Sequence, residues 1–380
     1  MRFGWTDEQM QLMDMLRRFV GERHDFERRR ARLESGDGRK IWSELAELGV
    51  LALPFPEECG GIGGTMLDLV IVCEAFGRGL VVEPFIASVV LAGGILRRLP
   101  ASSDASGEIE AIAAGERRLA LANLEAAGRY NPAWCECRAT GDGTGWKIEG
   151  RKSMILGGDE ADRFVVLARV HGSTDDTAGL GLFMVDANAP DISVRTVRNI
   201  DGSGAAELEM RGVHVPLEAR LDNGDDAFTL LRAGLDDATI AACAQMCGAV
   251  AALNAKTLEY LQERKAFGQS LAQFQAIQHR LVDMKVAEEQ CAAITLKAAQ
   301  SLAEGRASAA HTVAAAKHLV SEEAREVAKH AVQLHGAIGV TDELDISHYF
   351  RRIVVLASAL GDADYHLARY AARPIEQEAA

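Results

Sequence analysis

Apolar residues recur along this chain at two different intervals, and the change from one to the other divides it. Met10, Met13, Leu16, Phe19 and Val20 fall at helical spacing, and Thr6 with Gln9 forms a capping-box pattern just ahead of them. Pro54, Pro56, Gly60, Gly61, Gly63 and Gly64 interrupt the pattern before Met66 to Phe76 resumes an apolar helix. From about Leu119 the period shortens. Trp146 to Glu149, Phe164 to Ala168, Leu180 to Val185, Ile192 to Val197 and Glu207 to Val215 read as strands separated by Gly, Asn and Asp. After Leu221 to Ala227 the helical period returns. Ile240, Cys243, Cys247, Val250, Leu258 and Leu261 make one stripe, and Phe274, Ile277, Leu281, Met284, Cys291 and Ile294 make the next, which Gly305 ends. An Ala-rich helix then leads to Gly336. The prediction is an α+β protein: an N-terminal helical domain over 1–117, a middle β domain over 118–222 and a C-terminal helical domain over 223–380.

Composition adds bounds to this plan. With 380 residues and 48% hydrophobic content the chain can bury more than one core. No apolar run reaches the roughly 18 to 20 residues that a membrane span needs, and the first residues lack a signal peptide's apolar core, so a cytoplasmic location is expected. A net charge of -14 argues against a nucleic-acid or anionic-membrane surface, both of which demand clustered positive charge. The basic run Arg23 to Arg32 is interrupted by acids and reads as a solvated helix face. The seven cysteines, odd in number and mostly within apolar helical patterns, do not suggest a disulfide framework. Cys135 and Cys137 are the one close pair and read as ordinary strand residues rather than metal ligands. Histidines 311, 318, 330 and 335 share a helical stretch without an i, i+4 pair, so no metal site is expected.

Two stretches carry more specific information. Tyr260 to Ala276 (YLQERKAFGQSLAQFQA) and Gln333 to Val340 (QLHGAIGV) resemble the two C-terminal signatures of the acyl-CoA dehydrogenase flavoprotein family. Glu47 to Ile62 adds to a resemblance that covers nearly the whole chain. It implies the acyl-CoA dehydrogenase fold, with the C-terminal domain a four-helix bundle. It further implies that Arg264, Phe267, Gln275, Gln333, His335, Gly336 and Gly339 contribute to FAD binding, reaching across an interface to the flavin of a neighbouring subunit. The chemistry of these side chains suits that role, since a planar guanidinium donor fork matches phosphate oxygens.

The other half of such a site is altered. The resemblance calls for a catalytic Glu at the position Leu360 fills, and leucine cannot take a proton. Some family members carry that Glu on an earlier helix, at the place of Ala238; Asp237 beside it and Asp362 beyond Leu360 are the remaining candidates for a base. A family loop that contacts flavin or substrate through Thr and Ser reads here Leu124-Glu125-Ala126-Ala127-Gly128-Arg129-Tyr130-Asn131, keeping only the Glu. A second loop, where the family presents Trp-Ile-Thr to the flavin ring, reads Met154-Ile155-Leu156.

The pattern resembles Glu-less small subunits such as that of pimeloyl-CoA dehydrogenase, and those of the paired dehydrogenases of steroid side-chain degradation. It implies a non-catalytic subunit of a heterotetrameric acyl-CoA dehydrogenase, sharing FAD with a catalytic partner. The expected reaction is α,β-dehydrogenation of an acyl-CoA, dicarboxyl-CoA or steroid type, as in β-oxidation, with an electron-transfer flavoprotein as electron acceptor. A self-sufficient homo-oligomer using Asp237 or Asp362 is the alternative, and a non-enzymatic scaffold or CoA-ester binding protein is the second.

Overall fold

The computed structural model describes residues 4–35, 38–99, 105–222, 224 and 226–372. The first residues, parts of the Leu221 to Ala227 connection and the polar residues 373–380 therefore lie outside the described residues. Helices α1 (Asp7–Arg23), α2 (Phe26–Ser35), α3 (Arg39–Glu47) and α4 (Met66–Arg78) come first, followed by a π-helical stretch Ile86–Ala92 that runs into α5 (Gly93–Leu96), and by α6 (Ser106–Ala113). Strands β1 (Leu119–Ala122), β2 (Arg138–Gly141), β3 (Gly145–Leu156), β4 (Arg163–Arg169), β5 (Leu180–Asp186), β6 (Ile192–Arg198) and β7 (Gly204–Pro216) follow. The long helix α7 (Ala227–Glu263) leads to a small hairpin, β8 (Lys265–Ala266) and β9 (Gln269–Ser270). Helices α8 (Gln275–Ala303), α9 (Ala309–His335), α10 (Ile346–Ser358) and a short α11 (Ala363–Ala371) complete the chain. The protein is thus α+β, with helical, β and helical regions in that order.

By packing, the described residues form two compact units. One comprises 1–35, 66–81 and 239–380, and the other 36–65 and 82–238. In the second unit the large sheet runs β1-β4-β2-β3-β7-β6, with β5 also paired to β4. Strand β4 is buried on both faces, which is why its sequence reads as a continuous apolar run, whereas β7 alternates between core and solvent over most of its length. The sequence predicts only Trp146 to Glu149 of β3. The strand runs to Leu156 because two register shifts against β7, at Ile148/Glu149 and Lys152/Ile155, break the alternation without ending the pairing. Cys135 and Cys137 are buried but lie in an extended segment ahead of β2 rather than in a strand of the sheet.

The first unit is helical. Its α1 carries the capping box read from the sequence, with the Thr6 side chain accepting from Gln9 N and the Gln9 side chain from Thr6 N. Helices α4 and α7 cross at glycines: a Cβ on Gly77 would sit 1.9 Å from Gln245 O, and one on Gly248 2.0 Å from Glu74 O. Only hydrogen fits there. The basic run on α2 is not wholly a solvated face, since Arg29 is buried and its guanidinium donates to Leu80 O at 3.2 Å and to His348 Nδ1 at 2.6 Å. That bond makes His348 Nδ1 the acceptor. Burial first, and the neighbouring Arg29 and Arg351 cations second, push the His348 pKa down to about 4, so the ring is neutral at pH 7.

Candidate functional site

In the helical unit the end of α7 delivers Arg264 into the β8–β9 hairpin. The hairpin turn is Phe267-Gly268, with φ of 51° and 83°. Positive φ at both central residues is the geometry of a type I′ turn, for which Asn-Gly is the favoured pair. Phenylalanine in that first place is strained, and its ring is 96% exposed, meeting the Phe274 ring edge-on with centroids 6.3 Å apart. Arg264 is exposed and forms no ion pair among the described residues. Gln275, the first residue of α8, is exposed as well, as is Gln333 in the last turn of α9.

The two signatures meet through residues that the sequence does not single out as a pair. The Tyr260 ring stacks on His335 with centroids 4.4 Å apart, and its hydroxyl donates to His335 O at 3.4 Å. His335 is buried and its Nδ1 donates to Ala331 O at 2.8 Å. Burial pulls its pKa down, leaving it uncharged at neutral pH. The stack ties the end of α7, which carries Arg264, to the end of α9, which carries Gln333. Gly336 stops α9 with φ 67° and ψ -145°, a combination that essentially only glycine adopts, and Gly339 lies in the following 3-10 turn packed back on Val332. The signal for Tyr260 lay in the opening residue of the first signature, yet a stacking partner 75 positions away is not legible from spacing.

The turn between α10 and α11 bears Leu360, itself in the left-handed region with φ 60°. Three side chains pin its backbone: His366 Nε2 donates to Leu360 O at 2.9 Å, His318 Nδ1 to Ala363 O at 3.1 Å, and the buried Lys317 ammonium to Leu356 O. Burial brings the Lys317 pKa down to about 8. The mount for residue 360 is thus rigidly held, but the half-buried side chain it presents is a hydrocarbon. Asp362 caps α11, its Oδ1 accepting from Tyr365 N at 2.8 Å.

In the β-containing unit Asp237 is 3% exposed and its Oδ2 accepts from Arg97 at 2.9 Å and lies 2.7 Å from an Arg98 guanidinium nitrogen. The carboxylate is thus engaged by two guanidinium groups. Asp237 and Asp362 therefore both have structural tasks, an ion-pair cluster and a helix cap. Ala238 is buried. Leu124, Met154 and Leu156 lie on the β1 and β3 ends: Ser153 N donates to Leu124 O at 2.9 Å, while Met154 sits at the Lys152/Ile155 bulge with φ 49° and is 50% exposed. Glu125, the one residue retained from the family loop, is buried. It accepts from Lys152 Nζ at 2.7 Å, Cys137 N at 3.0 Å and Glu136 N at 2.6 Å, anchoring its loop to β3. Among the described residues no group of three or more His, Cys, Asp or Glu side chains is arranged to hold a metal ion.

Taken by themselves, the exposed residues of the helical unit offer a cation, an aromatic ring and two amides to a ligand approaching from outside. The β unit presents the apolar side chains Leu124, Met154 and Leu156 at the ends of β1 and β3.

Three domain families match the chain: acyl-CoA dehydrogenase N-terminal domain over residues 6–98, middle domain over 121–213 and C-terminal domain over 226–374. It is similar to acyl-CoA dehydrogenase FadE27 of Mycobacterium tuberculosis, 28% identical over 89% of this chain and 88% of that one. Among solved structures it resembles the ChsE4-ChsE5 complex of the same organism, with 27% identity, a TM-score of 0.85 and coverage of 98% of this chain and 100% of that one. Butyryl-CoA dehydrogenase of Megasphaera elsdenii aligns with a TM-score of 0.90 at 25% identity, covering 98% and 99%.

Proposed function

This chain belongs to the acyl-CoA dehydrogenase family, and from that premise we propose that it is the small, non-catalytic subunit of a heteromeric, FAD-dependent member, completing the flavin site of a catalytic partner. One observation carries the reading: Arg264, Phe267, Gln275 and Gln333 are all present and turned to solvent, while residue 360 is leucine and Leu124, Met154 and Leu156 stand where the family resemblance calls for polar or aromatic flavin contacts. Decay without function would erode both sets alike.

The residues fit one half of a shared cofactor. Arg264 would meet pyrophosphate charge, Phe267 would cover apolar surface of the dinucleotide, and Gln275 and Gln333 would donate amide hydrogens to it. They do not fit the ring half, because three apolar side chains supply no hydrogen bond to the isoalloxazine edge. FAD, when bound, supplies the hydride acceptor for α,β-dehydrogenation of an acyl-CoA thioester. The α-proton is taken by a carboxylate of the partner, since this chain holds none at the required place. Electrons leave to an electron-transfer flavoprotein, and the complex works in the cytoplasm as a heterotetramer. The ChsE4-ChsE5 relative, a complex of two differently named chains, supports the pairing.

The self-sufficient alternative requires Asp237 or Asp362 as the base, and the paired Arg97 and Arg98 and the α11 cap occupy them. Purifying the chain with and without the product of its neighbouring gene, and counting flavin per chain, tests the proposal. One FAD per pair of unlike subunits is expected. A full complement of FAD in the protein made alone refutes it.

A further inference from the structure

Beneath the β3 bulge the β unit buries an unusual set of reactive groups. Lys152 Nζ lies 3.5 Å from Cys135 Sγ and 2.7 Å from Glu125 Oε1, and both Lys152 and Cys135 are 1% exposed. Cys135 Sγ also approaches Cys137 O at 3.3 Å and Leu167 O at 3.6 Å. A second cation lies close by: Arg169, 1% exposed, donates to Ala178 O at 2.6 Å, Ala133 O at 2.9 Å and Thr174 O at 3.0 Å, with no carboxylate partner among the described residues. Two cations and one carboxylate leave this pocket with an excess positive charge next to the thiol. Burial raises the Cys135 thiol pKa, while Lys152 and Arg169 act in the opposite sense.

We propose that Cys135 and Lys152 form an oxidative cross-link, an S–N bond generated by a hydroperoxide. In the first step hydrogen peroxide oxidises the thiol to a sulfenic acid and is itself reduced, with one water released. In the second, the Lys152 ammonium gives one proton to Glu125, and its nitrogen lone pair attacks the sulfur. The S–O bond breaks, and the departing hydroxide takes a second proton from nitrogen to leave as water. The linked product has lost two hydrogens relative to the starting side chains, and a dithiol returns both groups to their reduced forms.

The geometry favours Lys152 over Cys137 as the trapping group. Lys152 Nζ already touches Cys135 Sγ, whereas Cys137 Sγ is packed against Gly150, 3.0 Å from where a Cβ of that residue would stand. Glu125 stands on Lys152 as the proton acceptor, held by two backbone amides, Glu136 N and Cys137 N. Cys135 N donates to Thr174 O at 2.8 Å and Arg169 N to Cys137 O at 2.7 Å, so oxidation requires these bonds to open transiently and admit a molecule as small as hydrogen peroxide. The product removes the Lys152 charge just before Met154, so the bulge is both stapled and discharged.

The test uses the folded full-length protein treated with hydrogen peroxide, quenched with catalase, unfolded and alkylated, then mapped by peptide mass spectrometry. The expected result is a linked pair of peptides containing Cys135 and Lys152, lighter by two hydrogens than their sum and separated by dithiothreitol. Lys152→Arg keeps a cation beside Glu125 but lacks a primary amine; its sulfenic acid is expected to persist and to take up dimedone, which the unaltered protein does not. Cys137→Ser should leave the linked peptides in place. A Cys135-Cys137 disulfide, a Cys135 that stays fully alkylatable after peroxide, or conversion to sulfinic acid without linked peptides would each overturn the proposal. The unaltered protein provides the decisive measurement even if Lys152→Arg fails to fold.

Discussion

The Phe267 hairpin and the Glu125 loop both carry family residues, and they are opposites in how the chain treats them. Phe267 is exposed, strained at φ 51° and set edge-on to Phe274. Glu125 is buried, with three donors within hydrogen-bond reach. The retained Glu is explained by the chain's own stability. The retained Phe is not, because a left-handed conformation costs a non-glycine residue roughly 1–2 kcal/mol and exposed aromatic surface returns nothing. What has no internal reason to be kept points to something outside the chain.

The largest effect expected concerns catalysis. Made alone, the protein should turn over saturated acyl-CoAs at least about 10²-fold more slowly than a complete enzyme, given that a general base contributes about 10²–10⁴. Leu360→Glu should leave it inactive in a ferrocenium-type assay, since Leu124, Met154 and Leu156 remain. A Leu360→Glu protein that turned over would break the comparison by showing the ring side of the site to be adequate.

Next comes the stability of the Glu125 loop. Lys152→Met leaves a buried carboxylate without its cation and should destabilise the fold by roughly 3–5 kcal/mol, read from urea unfolding. A change near zero would mean that Glu125 is kept for a ligand after all. The helical unit contains its own internal counterpart in His348, whose folded pKa of about 4 lies below the ordinary value of 6.5. The unfolded chain therefore binds the proton more readily, and stability should be full above about pH 6.5 and fall as the pH drops towards 4, by on the order of 2–3 kcal/mol. His348→Gln should flatten the profile in that window.

Smaller effects separate the exposed set. Arg264→Ala should weaken flavin retention in the complex by about 1.5–3 kcal/mol, the contribution of a charge-assisted hydrogen bond, while leaving the melting of the isolated chain unchanged. Phe267→Asn should do the reverse of a core mutation: asparagine tolerates positive φ, so the isolated chain gains up to about 1 kcal/mol while the complex loses flavin. If Phe267→Asn destabilised the isolated chain, the hairpin would have an internal role and the contrast with Glu125 would fail.

Much of the fold is legible in the sequence itself. The capping box on α1, the five predicted strands within β3 to β7 and the helical stripes of α7 and α8 follow from local periodicity, which depends on neighbours three, four or two positions away. The Arg264 and Gln333 signatures, and Leu360 where the family resemblance calls for a Glu, are local in the same sense. Local period does not report partners that are distant along the chain. Asp237, a candidate base by sequence, is claimed by Arg97 from 140 positions away, and Arg29, read as solvated, meets His348 across 319. Composition placed a polar residue at each of these sites. Whether that residue titrates, anchors a loop or faces outward was decided by the burial and charge that tertiary packing brought to it.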